Sequence, residues 1–169
     1  MNTVANAKQD ILQIFLDILN RTKTAYCVVG GLAVNAYVEP VVSLDLDVVL
    51  EQKDINKVSK EAEKKGLKVE RFEHSVNLTS SKSDLRIQMQ TDSRYQKFLS
   101  RASSKEVLGY KMKVASVEDV LQGKLWAYSD EKRRLSKRQK DLADIIRLIE
   151  EYPFLEQLIP SVILENFKK

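Results

Sequence analysis

The chain has 169 residues, with 28 basic and 24 acidic side chains and a formal net charge of +4, which suits one domain of ordinary size. Its single cysteine and single histidine exclude disulfide scaffolds and any site built on several residues of either type. No segment approaches the ~20 apolar residues of a membrane span, and the first ten residues lack the pattern of a secretory signal. We therefore expect a cytoplasmic protein without a membrane partner, whose chemistry would use carboxylates, hydroxyls, lysines and backbone amides.

The hydrophobic pattern predicts helices and strands in mixed order. In chain order these are a helix over 5–20, a strand over 25–29, a helix over 32–37, a strand over 41–50, a helix from Asp54 to Gly66, strands over 67–71, 75–79 and 85–89, a helix capped by Asp92, a strand or hairpin over 107–114, and helices capped by Ser116 and Ser136. This order predicts an α/β (α+β) fold with a helical C-terminal part. We expect residues 1–115 to form a core on which residues 116–169 pack as one compact unit.

Two aspartates in the second predicted strand are the clearest indication of chemistry. Asp45 and Asp47 alternate with apolar residues in the segment SLDLDVVL at 43–50, so their side chains share one face of the strand. Adjacent carboxylates repel each other unless a cation neutralises them, and Mg²⁺ takes carboxylate and substrate phosphate oxygens together. The pair predicts a Mg²⁺ (or Mn²⁺) site, with a solvated acidic edge strand as the alternative.

A glycine pair, Gly30-Gly31, stands between the first predicted strand and the short helix after it. Glycines at such a junction let the backbone approach a ligand closely, and a helix N-terminus carries partial positive charge, so the junction favours phosphate. A purely structural turn is the alternative. Thirteen residues separate Gly31 from Asp45, which would place a phosphate site and a metal site at the ends of successive strands.

Four segments in this order resemble the polymerase-β-like nucleotidyltransferases, and most closely the minimal AbiEii-type nucleotidyltransferases of bacterial toxin–antitoxin and abortive-infection systems. Residues 29–37 (VGGLAVNAY) are similar to the first motif of that family, and residues 43–47 (SLDLD) to its metal motif. Segments within residues 107–127 are similar to its lysine-bearing helix, and residues 138–144 (RQKDLAD) to the helix that follows. The resemblance spans about residues 25–150.

The resemblance implies a mixed sheet flanked by helices, and transfer of an NMP from an NTP to an acceptor hydroxyl on an RNA end such as that of tRNA, a protein or a small molecule. It implies catalytic and metal-binding roles for Asp45 and Asp47, and a role as base or supporting partner for Asp141 and Asp144. The nucleotide-binding residues that it implies are Gly30, Gly31, Ser43, Lys124 and Lys140. A cognate antitoxin is the implied protein partner.

Two positions depart from the family pattern. An arginine often follows the Glu-Pro pair before the metal motif, but here Val41 follows Glu39 and Pro40. The superfamily usually has a third carboxylate on a later strand, where this sequence has Gln88, an amide that cannot act as a base. These departures favour an alternative in which the protein binds nucleotide or RNA without turnover.

The positive charge is concentrated in one part of the chain. Residues 101–140 hold eleven basic and five acidic side chains, a net +6 that leaves −2 for the rest. Six of the basic residues lie within residues 132–140. Such a cluster predicts a surface that faces the phosphates of a nucleotide or RNA, although a solvated helix start is also typical of it. A further alternative is a docking surface for an acidic partner protein.

Overall fold

The computed structural model describes residues 3–167, with side chains from residue 11, so the first two and last two residues of the predicted division lie outside it. The helices are α1 (Thr3–Thr22), α2 (Gly30–Tyr37), α3 (Ile55–Lys64), α4 (Val117–Ser129), α5 (Leu135–Glu151) and α6 (Ser161–Leu164). The strands are β1 (Tyr26–Val29), β2 (Asp45–Leu50), β3 (Lys68–Arg71), β4 (Ser75–Ser80), β5 (Ser83–Gln90), β6 (Ser103–Val107) and β7 (Tyr110–Val114). Short 3-10 helices cover Gln52–Asp54, Ser93–Arg101 and Pro153–Leu158. Among the described helices, none is long and apolar enough to cross a membrane.

The strands form one mixed sheet in the order β3-β4-β5-β2-β1-β7-β6. β2 pairs antiparallel with β1 and parallel with β5, and β1 pairs parallel with β7. Parallel neighbours need long crossover connections, so β2 has a neighbour from a distant part of the chain on its β5 side. The mixed sheet with flanking helices and a helical C-terminal part confirms the predicted fold class.

One buried hydrophobic cluster extends from Ile11 in α1 to Ile163 in α6. In β2 the alternate residues Leu46, Val48 and Leu50 are fully buried in it, so the aspartates between them belong to the opposite face of the strand. α2 packs against both β2 and α4, and α4 packs against α5. The helix α2, which begins with Gly30 and Gly31, therefore lies between β2 and the C-terminal helices. The division of the chain at residue 115 stays a prediction.

The second strand is shorter than predicted: it begins at Asp45, and not at residue 41. The side-chain amide of Asn35 explains the difference, because its Nδ2 donates to Val41 O at 2.6 Å and its Oδ1 accepts from Val41 N at 3.1 Å. These bonds occupy backbone groups that a longer strand would pair with its neighbours. Val42 is 87% exposed, and residues 41–44 form a loop that leads into β2.

Predicted helix ends agree with the structure in part. Ser116 caps α4 by accepting a hydrogen bond from Asp119 N at 3.2 Å, as predicted. Asp92 accepts from Arg94 N as a cap, but the helix that follows is a 3-10 helix. The prediction for Ser136 is wrong, because the cap position of α5 is Arg134, two residues earlier, after a turn in which Asp130 O accepts from Arg133 N.

Replacing the Ser116 hydroxyl should lower the free energy of unfolding by about 1 kcal/mol, because Ser116→Ala leaves an amide at the start of α4 without its acceptor. Urea unfolding followed by circular dichroism measures the change. Ser116→Asn is the control, since an asparagine at this position caps about as well as serine. Equal losses in the two variants would contradict a capping role.

Candidate functional site

One cleft brings together the residues that the sequence predicts for metal, nucleotide and catalysis. It has a volume of about 160 Å³ and lies where β1, β2 and β5 meet α4 and α5. The predicted residues that line it are Gly30, Gly31, Ser43, Asp45, Asp47, Lys124, Lys140 and Asp141. Asp144 is buried beside them. The individual roles of these residues stay predictions.

Gly30 is required by the close approach of α2 to β2. Its φ of +71° is a conformation that side chains rarely adopt. A Cβ on Gly30 would overlap Asp47 Oδ2 and lie 3.0 Å from the Asp47 Cβ. At Gly31 a Cβ would meet only Ser43 Oγ, at an ordinary 3.6 Å. The first glycine therefore makes room for the carboxylate of Asp47 at the start of α2.

Asp47 is the more desolvated aspartate of the pair. Burial raises its pKa from 3.8 to about 6, and the nearby charge of Asp45 adds to the rise. Lys124, Arg133 and Lys137 partly offset it from across the cleft. A carboxylate that is destabilised in this way gains from a further cation placed beside it.

Asp45 has a partner that the sequence analysis missed. β2 and β5 are parallel with Asp45 opposite Arg86, and Arg86 Nε donates to Asp45 Oδ1 at 3.0 Å. The side chains of both residues are only partly exposed, at 38% and 39%. A signal was available, because Arg86 stands two positions before Gln88 and therefore shares its strand face.

Asp45 and Asp47 fit a divalent cation by their chemistry. Mg²⁺ is commonly held by one or two carboxylates, with substrate phosphates supplying further oxygens. Gln88 is opposite Asp47 in the register and lines the cleft, where it offers an amide oxygen. Within residues 11–167 no cluster of three or more His, Cys, Asp or Glu side chains has a metal-binding arrangement. The donor set thus suits a cation shared with a phosphate ligand.

The opposite wall of the cleft contains a buried ion cluster. Lys124 Nζ lies 3.1 Å from Asp141 Oδ1 and 2.8 Å from Asp144 Oδ2, and the three residues are 7%, 1% and 2% exposed. The Asp144 contact is an ion pair without hydrogen-bond alignment. Burial lowers the pKa of Lys124, but the two carboxylates outweigh it and the pKa is raised. Lys124 is therefore held in its charged form.

Asp141 has the contacts of a positioning residue. Its Oδ2 accepts from Arg133 Nε at 2.7 Å, while its Oδ1 accepts from Lys124. Both oxygens are therefore occupied by cations, and the side chain is 1% exposed. Of the two roles implied by the resemblance, this geometry favours that of a supporting partner over that of a base.

A second arginine joins α5 to the loop before β2. Arg147 Nη1 lies 2.8 Å from Asp144 Oδ1, and its Nη2 donates to the backbone carbonyl of Glu39 and to Asn35 Oδ1. The family pattern often has an arginine after the Glu-Pro pair, where this chain has Val41. Here an arginine from α5 binds the loop instead, 108 positions away in sequence.

Tyr95 is a further cleft residue that sequence reasoning did not identify. It follows the cap at Asp92, and its ring packs edge-on against Trp126 with centroids 5.1 Å apart. Burial raises the pKa of Tyr95 from 10.0 to about 12, so its hydroxyl stays protonated even in alkaline solution. A Cβ on Gly123 in α4 would lie 3.4 Å from this ring, at the close limit of ordinary van der Waals contact.

Gly30→Ala should lower the free energy of unfolding by about 1–2 kcal/mol or more, because the left-handed backbone disfavours a Cβ and this Cβ would also displace Asp47. Gly31→Ala is the matched control: its Cβ has ordinary contacts, so only a small change is expected. Chemical denaturation of both variants measures the difference. Similar stabilities for the two would show that the space beside Asp47 is not constrained.

Lys124→Met should cost about 3 kcal/mol, the lower end of the range for breaking a buried ion pair, because Arg133 and Arg147 still compensate Asp141 and Asp144. The folded state binds the Lys124 proton more tightly than the unfolded chain. Its stabilisation is therefore complete below pH 10.5 and is lost as the pH rises through the raised pKa. The stability difference between wild type and Lys124→Met should accordingly narrow above that pH.

Urea unfolding at several pH values measures this difference. Lys132→Met is the control, because Lys132 is exposed and its loss should change stability by about 0.5 kcal/mol or less. A Lys124→Met variant as stable as the control at pH 7 would contradict the structural importance of the cluster.

Comparisons with solved structures identify the fold. Antibiotic-resistance factor ANT(2'')-Ia has a TM-score of 0.67 and 14% identity, with 95% of this chain and 96% of that chain covered. The lincosamide antibiotic adenylyltransferase LnuA, solved with lincomycin bound, has a TM-score of 0.55 and 15% identity over 81% and 95%. JHP933 from Helicobacter pylori has a TM-score of 0.57 and 18% identity over 92% and 70%. At these identities the likeness shows a shared fold.

The family is identified by its sequence model. No curated protein sequence matches the chain. The model described as "Nucleotidyl transferase AbiEii toxin, Type IV TA system" matches residues 23–169, which include every predicted site residue. The chain therefore belongs to the AbiEii family of nucleotidyltransferases, the toxins of type IV toxin–antitoxin systems.

Proposed function

We propose that this nucleotidyltransferase moves an NMP from an NTP to an acceptor hydroxyl and releases pyrophosphate, as the toxin of a toxin–antitoxin pair. The observation that carries the proposal is the placement of opposite charges on two walls of one cleft. Asp45 and Asp47 lie on one wall, and Lys124 and Arg133 on the other. A metal–triphosphate complex carries both signs, so it matches both walls.

The glycine side of the cleft would hold phosphate. Gly30 and Gly31 form the first turn of α2, where free backbone amides and the helix dipole favour an anion. Ser43 lies within reach of Gly31 and lines the same cleft. Lys137 and Lys140 line it from α5. These groups would bind and orient the triphosphate, which is most of what phosphoryl-transfer catalysis requires of a protein.

Asp45 and Asp47 would hold Mg²⁺ or Mn²⁺. When bound, the cation would neutralise charge that develops on the phosphate oxygens. Lys124 would add a fixed positive charge from the opposite wall. Asp141 would act through Lys124 and Arg133, by keeping both cations in place rather than by touching the substrate.

RNA is the acceptor class that the surface charge supports best. Lys132 and Arg134 are exposed beside the cleft residues Arg133 and Lys137. Clustered basic side chains attract a nucleic-acid backbone independently of its sequence. A protein hydroxyl or a small molecule would not need this basic rim. An antitoxin would be the protein partner, as the family implies.

A second candidate function is nucleotide binding without turnover. Gln88 lies opposite Asp47 where the superfamily has a third carboxylate, and a glutamine cannot accept a proton from an acceptor hydroxyl. A protein of this kind would bind NTP in the same cleft and leave the acceptor unchanged.

The transfer assay incubates the protein with each α-labelled NTP, Mg²⁺ or Mn²⁺, and total RNA or total protein. Label should enter one acceptor fraction, and the double change Asp45→Asn with Asp47→Asn should lower the rate at least about a hundredfold, because metal-ion charge stabilisation is worth several kcal/mol. Asp84→Asn is the matched control, since Asp84 is an exposed aspartate of β5 outside the cleft.

Three results separate the candidates. Transfer that needs the aspartates supports the enzyme. NTP binding without transfer in either metal supports the second candidate. Transfer that survives the double change would contradict the proposed metal site.

A further inference from the structure

The residues beside the aspartate pair differ in charge from those of a two-metal site. The register between β2 and β5 places Arg86 opposite Asp45 and Gln88 opposite Asp47. The next strand, β4, has Asn77 opposite Gln88. The neighbours of the two carboxylates across these strands are thus a cation and amides, and no third carboxylate.

This arrangement leaves little negative charge for cations. Asp45 and Asp47 contribute −2 and Arg86 contributes +1, so these three side chains together have a net charge of −1. Arg86 Nε lies 3.0 Å from Asp45 Oδ1, and Arg86 stands two positions before Gln88, the residue opposite Asp47. Two divalent cations a few ångströms apart repel each other strongly. Two such cations need more anionic ligands than these three side chains supply.

The Arg86 charge persists even when the ion pair opens. Both partners are partly exposed, and such an ion pair is weak enough for a metal to compete with it. However, Arg86 is fixed opposite Asp45 by five successive residue pairs between β2 and β5. This backbone position keeps the guanidinium within side-chain reach of any cation that binds at Asp45.

We propose that the cleft takes one divalent cation per bound nucleotide, and that Arg86 supplies the positive charge beside Asp45 where a second cation would otherwise sit. This inference rests on the proposed function, because it assumes that the cleft binds an NTP. Arg86 is a positioning and charge-compensating residue here, with Gln88 as the neutral neighbour that keeps the second cation unfavourable.

The test counts metal ions directly, without turnover. The protein is dialysed to equilibrium against Mn²⁺ and the α,β-methylene analogues of the four NTPs in turn. Bound Mn²⁺ is measured by atomic absorption and bound nucleotide by ultraviolet absorbance, each as the excess over the protein-free side. For the analogue that binds most tightly we expect one Mn²⁺ per nucleotide in the wild-type chain.

Two variants test the assignment to particular residues. Arg86→Gln combined with Gln88→Asp removes the cation and adds a carboxylate, so the ratio should rise to two. Arg71→Gln is the matched control, because it removes an arginine from the edge strand β3, where Arg71 contacts Asn56, and the ratio should stay at one. Circular dichroism verifies that each variant is folded.

The outcomes distinguish this inference from the proposed function. Two Mn²⁺ per nucleotide in the wild-type chain would overturn the inference and leave the proposed function intact. A ratio of one in both the wild-type chain and the folded double variant would overturn the role of Arg86 and Gln88. No binding of any analogue would overturn the proposed function, and the inference with it.

Discussion

A buried lysine between two carboxylates is the constraint on which the arrangement of the cleft depends. Lys124, Asp141 and Asp144 are almost withdrawn from water, and each charge would be costly to bury without a partner. The pairing therefore fixes how α4 is placed against α5. Because Arg147 extends the pairing to the carbonyl of Glu39, the same requirement positions the loop that leads into β2.

The cluster also keeps the cationic side chains of one wall of the cleft from pairing with the carboxylates of the other wall. Free cations opposite Asp47 would pair with it, because opposite charges attract strongly when water is scarce. Here Lys124 and Arg133 are held by Asp141 from behind, and Asp45 is held by Arg86 from the side. Each wall is therefore partly satisfied within itself, and the cleft stays open to a ligand that carries both signs.

Residue patterns alone could predict only local features, and the resemblance to the family added the fold and the set of site residues. Strand alternation was enough to place the aspartate pair on one face, and the capping pattern located the start of α4. The Arg86 contact depends on the register of strands 41 positions apart, and the Arg147 contact on helices and loops more than 100 positions apart. The strand predicted over 41–50 was too long at its start, because nothing in residues 41–44 shows that the side chain of Asn35 hydrogen-bonds to the backbone of Val41. Contacts between side chains that lie far apart in sequence are therefore the part that needed the structure.

The order of these residues along the chain has a consequence for how the protein is made. A ribosome releases the N-terminal part first, so the glycine turn and the aspartates of β2 emerge well before α4 and α5. The cations opposite Asp47, and the Arg147 contact that holds the loop, all belong to the last third of the chain. A nascent chain therefore has the acidic wall without the basic one. In a family of toxins, this means that the complete cleft does not exist until α4 and α5 have also been made.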